Sequence, residues 1–144
     1  MTPRVQTVKA EESLRRALEK MVKRNVGSIV VLERQRPVGI LTERDMARYV
    51  ARDTSTLRTQ VRKLMSSPLI TIEKSGAVQE AMMMMLKHGI RRIPVMEKEK
   101  MIGIISERDL LRWVVRSSYK PSPETQAILD SQPFLRKTSK PTKL

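Results

Sequence analysis

Two copies of one short motif hold the residues of this sequence that are best suited to chemistry. The motif reads Gly-Ile-[Leu/Ile]-[Thr/Ser]-Glu-Arg-Asp and occupies residues 39–45 and 103–109. Its hydroxyl and its aspartate lie three residues apart, the spacing of a capping box that satisfies backbone N–H groups at the start of a helix. The same position suits an anionic ligand, and an aspartate there can accept hydrogen bonds from the hydroxyls of a ribose. Capping and ligand binding are both open for Asp45 and Asp109.

Other reactive groups are scarce. The chain has no cysteine and a single histidine, His88, so neither thiolate chemistry nor a dedicated transition-metal site is expected. The serine and threonine residues have no recognisable base, and no phosphate loop of the GxxxxGK[ST] type occurs. We therefore predict no catalytic residue, no metal site and no enzymatic activity. His88 precedes Gly89, and we expect it to lie at the C-terminal end of a helix, where the dipole favours it.

An internal repeat positions the two motifs. Residues 5–52 align with residues 69–116 at a constant shift of 64 without a gap, and 15 of the 48 aligned pairs are identical. Each repeat reads as a short strand, a helix, two strands and a second helix that begins at the motif. One β-α-β-β-α unit is too small to cover both faces of its sheet. The sequence predicts an α/β (α+β) fold of two repeats packed about a pseudo-twofold axis, with both motifs facing a shared cleft.

The first helix of each repeat has apolar residues at i, i+3, i+4, i+7 and i+8, which predicts one face packed on the sheet. Ser13 and Ser75 are predicted to supply capping groups at the starts of these helices. Asn25 and Gly89 are predicted to end them, since both tolerate a left-handed backbone. The residues predicted to face the core are Leu14, Ala17, Leu18, Met21 and Val22 in the first repeat and Val78, Ala81, Met82, Met85 and Leu86 in the second.

The chain divides into three predicted segments. Residues 1–60 are the first repeat with its linker, residues 61–118 the second repeat, and residues 119–144 a basic tail. The tail holds four of the eight prolines and no sustained periodicity, so we expect it to be mobile or loosely docked. Residues 53–66 join the repeats, and a short amphipathic turn is predicted there from Val61, Leu64 and Met65.

The net charge is strongly positive, with 29 lysines and arginines against 15 acidic residues, a formal charge of +14. Such an excess attracts polyanions of any kind, so a nucleic-acid-binding protein is the alternative function from another class. No apolar run approaches the ~20 residues that span a bilayer. The N-terminal segment also lacks the apolar centre of a signal peptide. We expect a cytoplasmic protein without a membrane partner.

The two repeats resemble CBS domains (the cystathionine-β-synthase type), and the pair resembles one Bateman module. The resemblance rests on the threonine of the first strand, the Ile93-Pro94-Val95 strand and the Gly-x-x-[Thr/Ser]-x-x-Asp junction, and it covers about residues 3–116. It implies a regulatory, ligand-sensing module for adenosine-containing ligands such as AMP, ADP, ATP or S-adenosylmethionine. No catalytic or transporter domain is recognisable, so we expect a module that stands alone, with a regulated protein partner that the sequence does not name.

The resemblance also implies two nucleotide sites, each built from both repeats. In each site the hydroxyl residue and the aspartate of one motif hold the ribose, and residues of the other repeat lie beside the base. The residues so implied are Thr42 and Asp45 with Thr71, Ile90 and Arg91 at the first site, and Ser106 and Asp109 with Thr7, Val26 and Gly27 at the second.

The two implied sites differ in charge. Arg91 and Arg92 match positions where the family often places a basic group for a phosphate, whereas Gly27 and Ser28 occupy the equivalent positions of the first repeat. Guanidinium groups suit the geometry of a phosphate. We therefore expect one well-formed site for AMP or another adenine nucleotide rather than two equal sites.

A pair of methionines indicates a contact surface. Met83 and Met84 align with the charged residues 19–20, so both are expected in solvent. Exposed methionines suit an adaptable hydrophobic contact, which predicts a homodimer through this helix; the alternative is a partly covered edge of the core. Tyr49 and Trp113, equivalent on the last helices, are candidates for the same kind of interface. A purely structural dimerisation module with empty clefts is the third interpretation of the sequence.

Overall fold

The computed structural model describes residues 5–118 together with Pro123 and Ala127, and the rest of the predicted tail lies outside the described residues. Both repeats have the order strand, helix, strand, strand, helix, which confirms the predicted unit. The elements are β1 (Thr7–Lys9), α1 (Leu14–Arg24), β2 (Ser28–Glu33), β3 (Arg36–Thr42) and α2 (Glu43–Arg52), two 3₁₀ turns in the linker (Thr54–Arg58 and Val61–Lys63), and β4 (Ile72–Glu73), α3 (Val78–His88), β5 (Arg92–Glu97), β6 (Lys100–Ser106) and α4 (Glu107–Ser118).

Each repeat forms its own three-stranded sheet. In the first sheet β1 pairs parallel with β2 and β2 pairs antiparallel with β3, and β4, β5 and β6 repeat this arrangement. The register is repeated too, since Ser28 pairs with Thr42 in the first sheet and Arg92 pairs with Ser106 in the second. The start of the middle strand therefore lies directly beside the hydroxyl residue of the motif in both repeats.

The ends of α1 follow the prediction. The side chain of Ser13 accepts a hydrogen bond from the backbone N–H of Arg16, which caps the helix. Asn25 ends the helix in the left-handed conformation with a φ of 50°, and Gly89 ends α3 in the same way with a φ of 62°. These three positions confirm the helix boundaries that were predicted from local sequence.

The predicted cap of the other first helix is wrong. Helix α3 begins after Ala77, which makes no side-chain capping bond. Ser75 lies two residues further back, in a turn where the backbone N–H of Gly76 donates to the C=O of Glu73. The turn keeps Ser75 outside the helix, so its hydroxyl is not at the capping position.

The two sheets have separate hydrophobic cores. Leu14, Ile29 and Leu41 are fully buried in the first core, and Ile93 and Val95 are fully buried in the second. In the described part of the chain, no helix is both long and apolar enough to cross a membrane. The helices instead place one apolar face on a sheet, as the periodicity of the sequence predicts.

Two residues predicted to face the cores lie at the surface instead. Val22 and Leu86 have exposed fractions of 75% and 76%, so their predicted burial is wrong. At 3.6 residues per turn, Val22 lies about 80° around α1 from Leu14, at the margin of the apolar stripe. Leu86 stands in the same relation to Val78 on α3. The eight other predicted positions are buried or half-buried.

The linker packs on the first repeat. Val61 is fully buried in the first core, with Leu64 and Met65 packed beside it, which confirms the predicted amphipathic turn. The Tyr49 hydroxyl donates a hydrogen bond of 3.0 Å to the C=O of Leu64. Tyr49 therefore holds the linker in place and belongs to the first core, unlike Trp113, which is 36% exposed.

Candidate functional site

The first motif forms a capping box at the start of α2. The Thr42 hydroxyl accepts a hydrogen bond of 3.3 Å from the backbone N–H of Asp45. Asp45 Oδ2 in turn accepts bonds from the Thr42 backbone N–H (3.0 Å) and hydroxyl (2.6 Å). Oδ1 of Asp45 has no hydrogen-bond partner among the described residues. Capping therefore uses one oxygen of this carboxylate and leaves the other available to a ligand.

Ser106 and Asp109 repeat this geometry at the start of α4. Asp109 Oδ2 accepts bonds from the Ser106 backbone N–H (2.9 Å) and hydroxyl (2.7 Å), and its other oxygen lies 3.7 Å from Nη1 of Arg112. Partial burial alone raises the pKa of Asp109, but the bonds from Ser106 and the charge of Arg112 outweigh it and hold the pKa below its ordinary value. Asp109 is thus ionised at neutral pH, with its second oxygen beside an arginine.

A cavity of about 270 Å³ opens beside Asp45, between the two repeats. Thr42 and Asp45 lie on the wall that the first repeat supplies. Ile90, Arg91 and Arg92 lie on the wall that the second repeat supplies. The structure thus brings together five of the residues that the sequence assigned to binding, and we call this space the first cavity.

A second cavity, of about 480 Å³, opens beside Asp109. Ser106 and Asp109 lie on its second-repeat wall, and Val26 and Gly27 lie on its first-repeat wall. The arginines at 91–92 line this cavity as well. Ten of the fourteen residues that line the first cavity have their equivalents, at a shift of 64 residues, in the lining of the second, as pseudo-twofold packing of the repeats predicts.

Two predicted site residues fall outside these walls. Thr7 and Thr71 line neither cavity, and the residues before them, Gln6 and Ile70, do so instead. Thr7 is already the first residue of β1, where it pairs with Val30. Because successive residues of a strand point to opposite faces, an offset of one residue is enough to turn a side chain away from the cavity.

The sequence of the chain matches one protein family over most of its length. The sequence model of the CBS domain matches residues 1–52 and 61–116. The chain belongs to the CBS-domain family. It is a CBS domain pair, which confirms the resemblance stated from the motifs and the fold of two α/β repeats.

Two curated relatives illustrate this membership. The CBS domain-containing protein YhcV of Bacillus subtilis is 32% identical over 110 residues, which cover 76% of this chain and 79% of that protein. An uncharacterized protein of Methanopyrus kandleri is 38% identical over 96 residues, which cover 65% of this chain. The match spans about half (49%) of the length of the Methanopyrus protein.

Solved structures share the fold of this CBS domain pair. A protein with CBS domains from Burkholderia ambifaria is 30% identical, with a TM-score of 0.74 over 84% of this chain and 89% of that one. The CBS domain pair of protein MJ0100, solved in complex with 5′-methylthioadenosine and S-adenosyl-L-methionine, has a TM-score of 0.73 at 21% identity. It covers 82% of this chain and 94% of that one. At that identity the likeness concerns the fold.

The two cavities of this CBS domain pair share four lining residues, two from each repeat, which we call the shared wall. Thr42, Arg44, Arg91 and Arg92 line both of them. Arg44 and its equivalent Arg108, which lines the second cavity, were not predicted from the sequence. Both arginines are part of the repeated motif, so the motif itself contained the signal that would have found them.

The cavities differ in charge. Four arginines and one carboxylate line the first cavity, whereas four arginines and three carboxylates line the second, which adds Glu43 and Glu107. A site with an excess of guanidinium groups favours an anionic ligand, so the first cavity is the better match for a phosphate. Within the part of the chain that the structure describes, no group of His, Asp and Glu side chains is placed to hold a metal ion.

Proposed function

We propose that this CBS domain pair is a regulatory module that binds an adenine nucleotide of the AMP, ADP or ATP type in the first cavity. The observation that carries the proposal is the available oxygen of Asp45, which lines the same cavity as Arg91 and Arg92. A carboxylate oxygen suits the ribose hydroxyls, and guanidinium groups suit the phosphate. The two kinds of group come from different repeats, so a nucleotide bridges them.

The rest of the first cavity suits a base. Ile40, Pro68 and Ile90 supply apolar surface, and small-molecule sites combine such surface with a few placed polar groups. The volume of about 270 Å³ lies just below the usual range of ligand sites, roughly 300–1,000 Å³. This size favours a compact nucleotide such as AMP.

A solved structure of the same fold supports the ligand class. The CBS domain pair of MJ0100 was solved with 5′-methylthioadenosine and S-adenosyl-L-methionine, and both of these molecules contain adenosine. The proposed binding residues are those that line the first cavity of this chain, since a shared fold alone does not assign a function.

We further infer that two chains associate through α3. Met83 and Leu86 lie three residues apart on this helix and have exposed fractions of 64% and 76%. Met84 packs against the second core instead, so the expectation that it lies in solvent is not met. A ligand that bridges the repeats favours one of their relative arrangements, and a partner chain or a regulated protein on α3 responds to that change.

A thermal-shift screen tests the proposed function. AMP, ADP, ATP, adenosine, S-adenosylmethionine and GMP are compared at the same ionic strength. A ligand that binds only the folded chain stabilises it by ~2.7 kcal/mol at 100 times its Kd, so AMP is expected to raise the melting temperature and GMP to raise it less.

Two results would contradict the proposal. One is the absence of a shift with every adenine ligand. The other is binding that ignores the base and weakens steeply with salt, which is the behaviour of the alternative, a nucleic-acid-binding protein that uses its charge of +14.

A further inference from the structure

The second helix of each repeat carries a row of three arginines. The six residues are Arg44, Arg48 and Arg52 in α2 and, at a shift of 64, Arg108, Arg112 and Arg116 in α4. Members of a row are four residues apart, so they lie on one side of their helix, about 6 Å from one another. Like charges at this spacing destabilise a helix. Helix stability therefore does not account for a row of three.

The two rows differ in the aromatic residue beside them. In α2 this residue is Tyr49, which packs against the first core and donates a hydrogen bond to the C=O of Leu64. In α4 it is Trp113, which is 36% exposed and is not part of the second core. Trp113 stands three residues before Arg116, and residues three apart are neighbours on the surface of a helix. An exposed aromatic ring therefore borders the arginine row of α4, whereas the ring beside the row of α2 is already engaged.

We propose that α4 binds single-stranded nucleic acid, with a base stacked on the ring of Trp113 and phosphates held by Arg116 and the rest of its row. Proteins that bind single strands combine positive charge along the backbone of the strand with aromatic rings on which bases stack. The row is about 12 Å long, so it matches a polyanion rather than a single phosphate. The formal charge of +14 adds a long-range attraction for the same class of partner.

This surface lies outside the two cavities between the repeats. Trp113, Arg112 and Arg116 line neither of them, and the row meets the second cavity only at Arg108. Arg112 lies 3.7 Å from a carboxylate oxygen of Asp109, which balances part of its charge. Arg116 is exposed at the far end of the row. A strand on α4 and an adenine nucleotide in the first cavity occupy different places on the chain, and neither site depends on the other.

The apolar residues of α4 favour a single strand over a membrane surface. A helix that lies on a membrane has its apolar residues on one face and its charges on the other. Leu111 and Val115 are exposed, but Leu111 lies about 160° around the helix from Trp113, with the arginine row between them. The exposed apolar residues therefore do not form one continuous face. A duplex is a poorer match as well, because its bases are held inside the double helix.

The fluorescence of the chain reports on this surface directly, because Trp113 is its single tryptophan. We expect an oligothymidylate of about ten nucleotides, within the usual size of single-strand sites, to quench the fluorescence of the full-length chain at saturating AMP. Thymine bases and added AMP keep the first cavity out of the measurement. A duplex of the same length, inorganic polyphosphate and vesicles that contain anionic lipid are expected to leave the fluorescence unchanged.

Anisotropy of a labelled oligothymidylate measures the variants. Trp113→Leu is expected to weaken binding about tenfold, and Trp113→Tyr is expected to retain most of the affinity because its ring still stacks. Arg116→Gln is expected to reduce the slope of log K against log salt by about 0.7, the value for one phosphate contact of a single strand. Arg52→Gln is the matched control, since it removes the equivalent charge from α2, and its slope is expected to equal that of the wild type.

Several results would overturn this inference. Quenching by the duplex or the vesicles that equals quenching by the single strand would show that no base stacks on Trp113. Equal losses in Arg116→Gln and Arg52→Gln would show general charge attraction. Unchanged affinity in Trp113→Leu, or loss of self-association in that variant, would show that the ring does not serve a strand.

AMP binding keeps this inference separate from the proposed function. Trp113→Leu is expected to bind AMP as the wild type does, because Trp113 lines neither cavity. Urea unfolding checks that each variant is folded. If Trp113→Leu does not fold, Arg116→Gln and its control Arg52→Gln still decide whether α4 contacts the strand.

Discussion

At the scale of single residues, one carboxylate has an oxygen that caps a helix and a second oxygen that the proposed function assigns to the ligand. Asp45 Oδ2 accepts hydrogen bonds from the backbone N–H and the hydroxyl of Thr42, and Oδ1 has no hydrogen-bond partner among the described residues. The division follows from the geometry of a carboxylate, which offers two oxygens with lone pairs in different directions. The proposed function therefore makes helix capping and ligand binding simultaneous roles of the motif, and a substitution of Asp45 is expected to affect both.

Asp45→Ala is expected to weaken AMP binding by ~1.5–3 kcal/mol, the scale for a hydrogen bond to a charged group. It also removes a helix cap and is expected to lower the free energy of unfolding by about 1 kcal/mol. Isothermal calorimetry measures the first effect and urea unfolding the second. Asp53→Ala is the control, because Asp53 caps a 3₁₀ turn through Ser55 and lines neither cavity. Unchanged AMP affinity in Asp45→Ala would leave capping as the only role of this residue.

In the proposed function, the arginines of the shared wall distinguish a nucleotide from a nucleoside. Arg91→Ala combined with Arg92→Ala is expected to weaken AMP by ~1.5–3 kcal/mol for each lost charge-assisted bond, with adenosine affinity in the first cavity retained. Arg15→Ala with Lys23→Ala removes two exposed charges of α1 that line neither cavity. This control measures the long-range attraction, which salt screens. Equal losses of AMP affinity in both double variants would show that the arginines of the shared wall act only as ordinary surface charges.

At the scale of elements, equivalent helices carry different surfaces. Met83 is exposed on α3 at the position where α1 has the charged Glu19. Met84 is half-buried against the second core although its equivalent on α1 is also charged. Of the two adjacent methionines on α3, Met83 is therefore exposed to solvent and Met84 packs against the second core.

Met83→Glu, which copies residue 19, is expected to weaken self-association and to leave the free energy of unfolding within about 0.5 kcal/mol, as for most surface substitutions. Met84→Lys is expected to destabilise the fold, because it places a charge against the second core. Sedimentation velocity measures the association and urea unfolding the stability. A dimer that persists in Met83→Glu would show that α3 is not the interface. A monomeric wild type would contradict the proposed dimer.

At the scale of the whole molecule, the linker ties the two repeats together. It leaves α2, packs Val61 in the first core and then enters β4 of the second sheet. Backbone bonds fasten it, because Val61 N–H donates to the C=O of Glu12 and Leu14 N–H donates to the C=O of Thr59. The relative position of the repeats, and hence of the cavity walls, depends on this anchored segment.

Val61→Ala is expected to lower the free energy of unfolding by ~1.5–3 kcal/mol, the scale for burying a valine side chain. Val22→Ala removes the same atoms from a side chain that is 75% exposed. This control is expected to change the free energy of unfolding by about 0.5 kcal/mol or less. Denaturant unfolding of both variants measures the difference. Equal effects would show that the linker is not part of the first core.

The amino-acid sequence alone predicts the features that depend on neighbouring residues or that occur in both repeats. The caps at Ser13, Asn25 and Gly89 depend on backbone groups within a few residues, so their residue types predict them. The β-α-β-β-α unit follows from hydrophobic period, and its duplication follows from the shift of 64 residues. The motifs at Asp45 and Asp109 are visible for the same reason.

Contacts between the two repeats follow from the folded structure and are not predictable from local sequence. Arg92 lies close to Gly27, and three arginines line both cavities. These contacts bring together residues of different repeats that are more than 40 positions apart. Thr7 and Thr71 miss the cavities by one residue, an offset that local patterns do not resolve because it depends on where each strand begins. Packing between distant segments sets these contacts, and no periodicity along the chain encodes it.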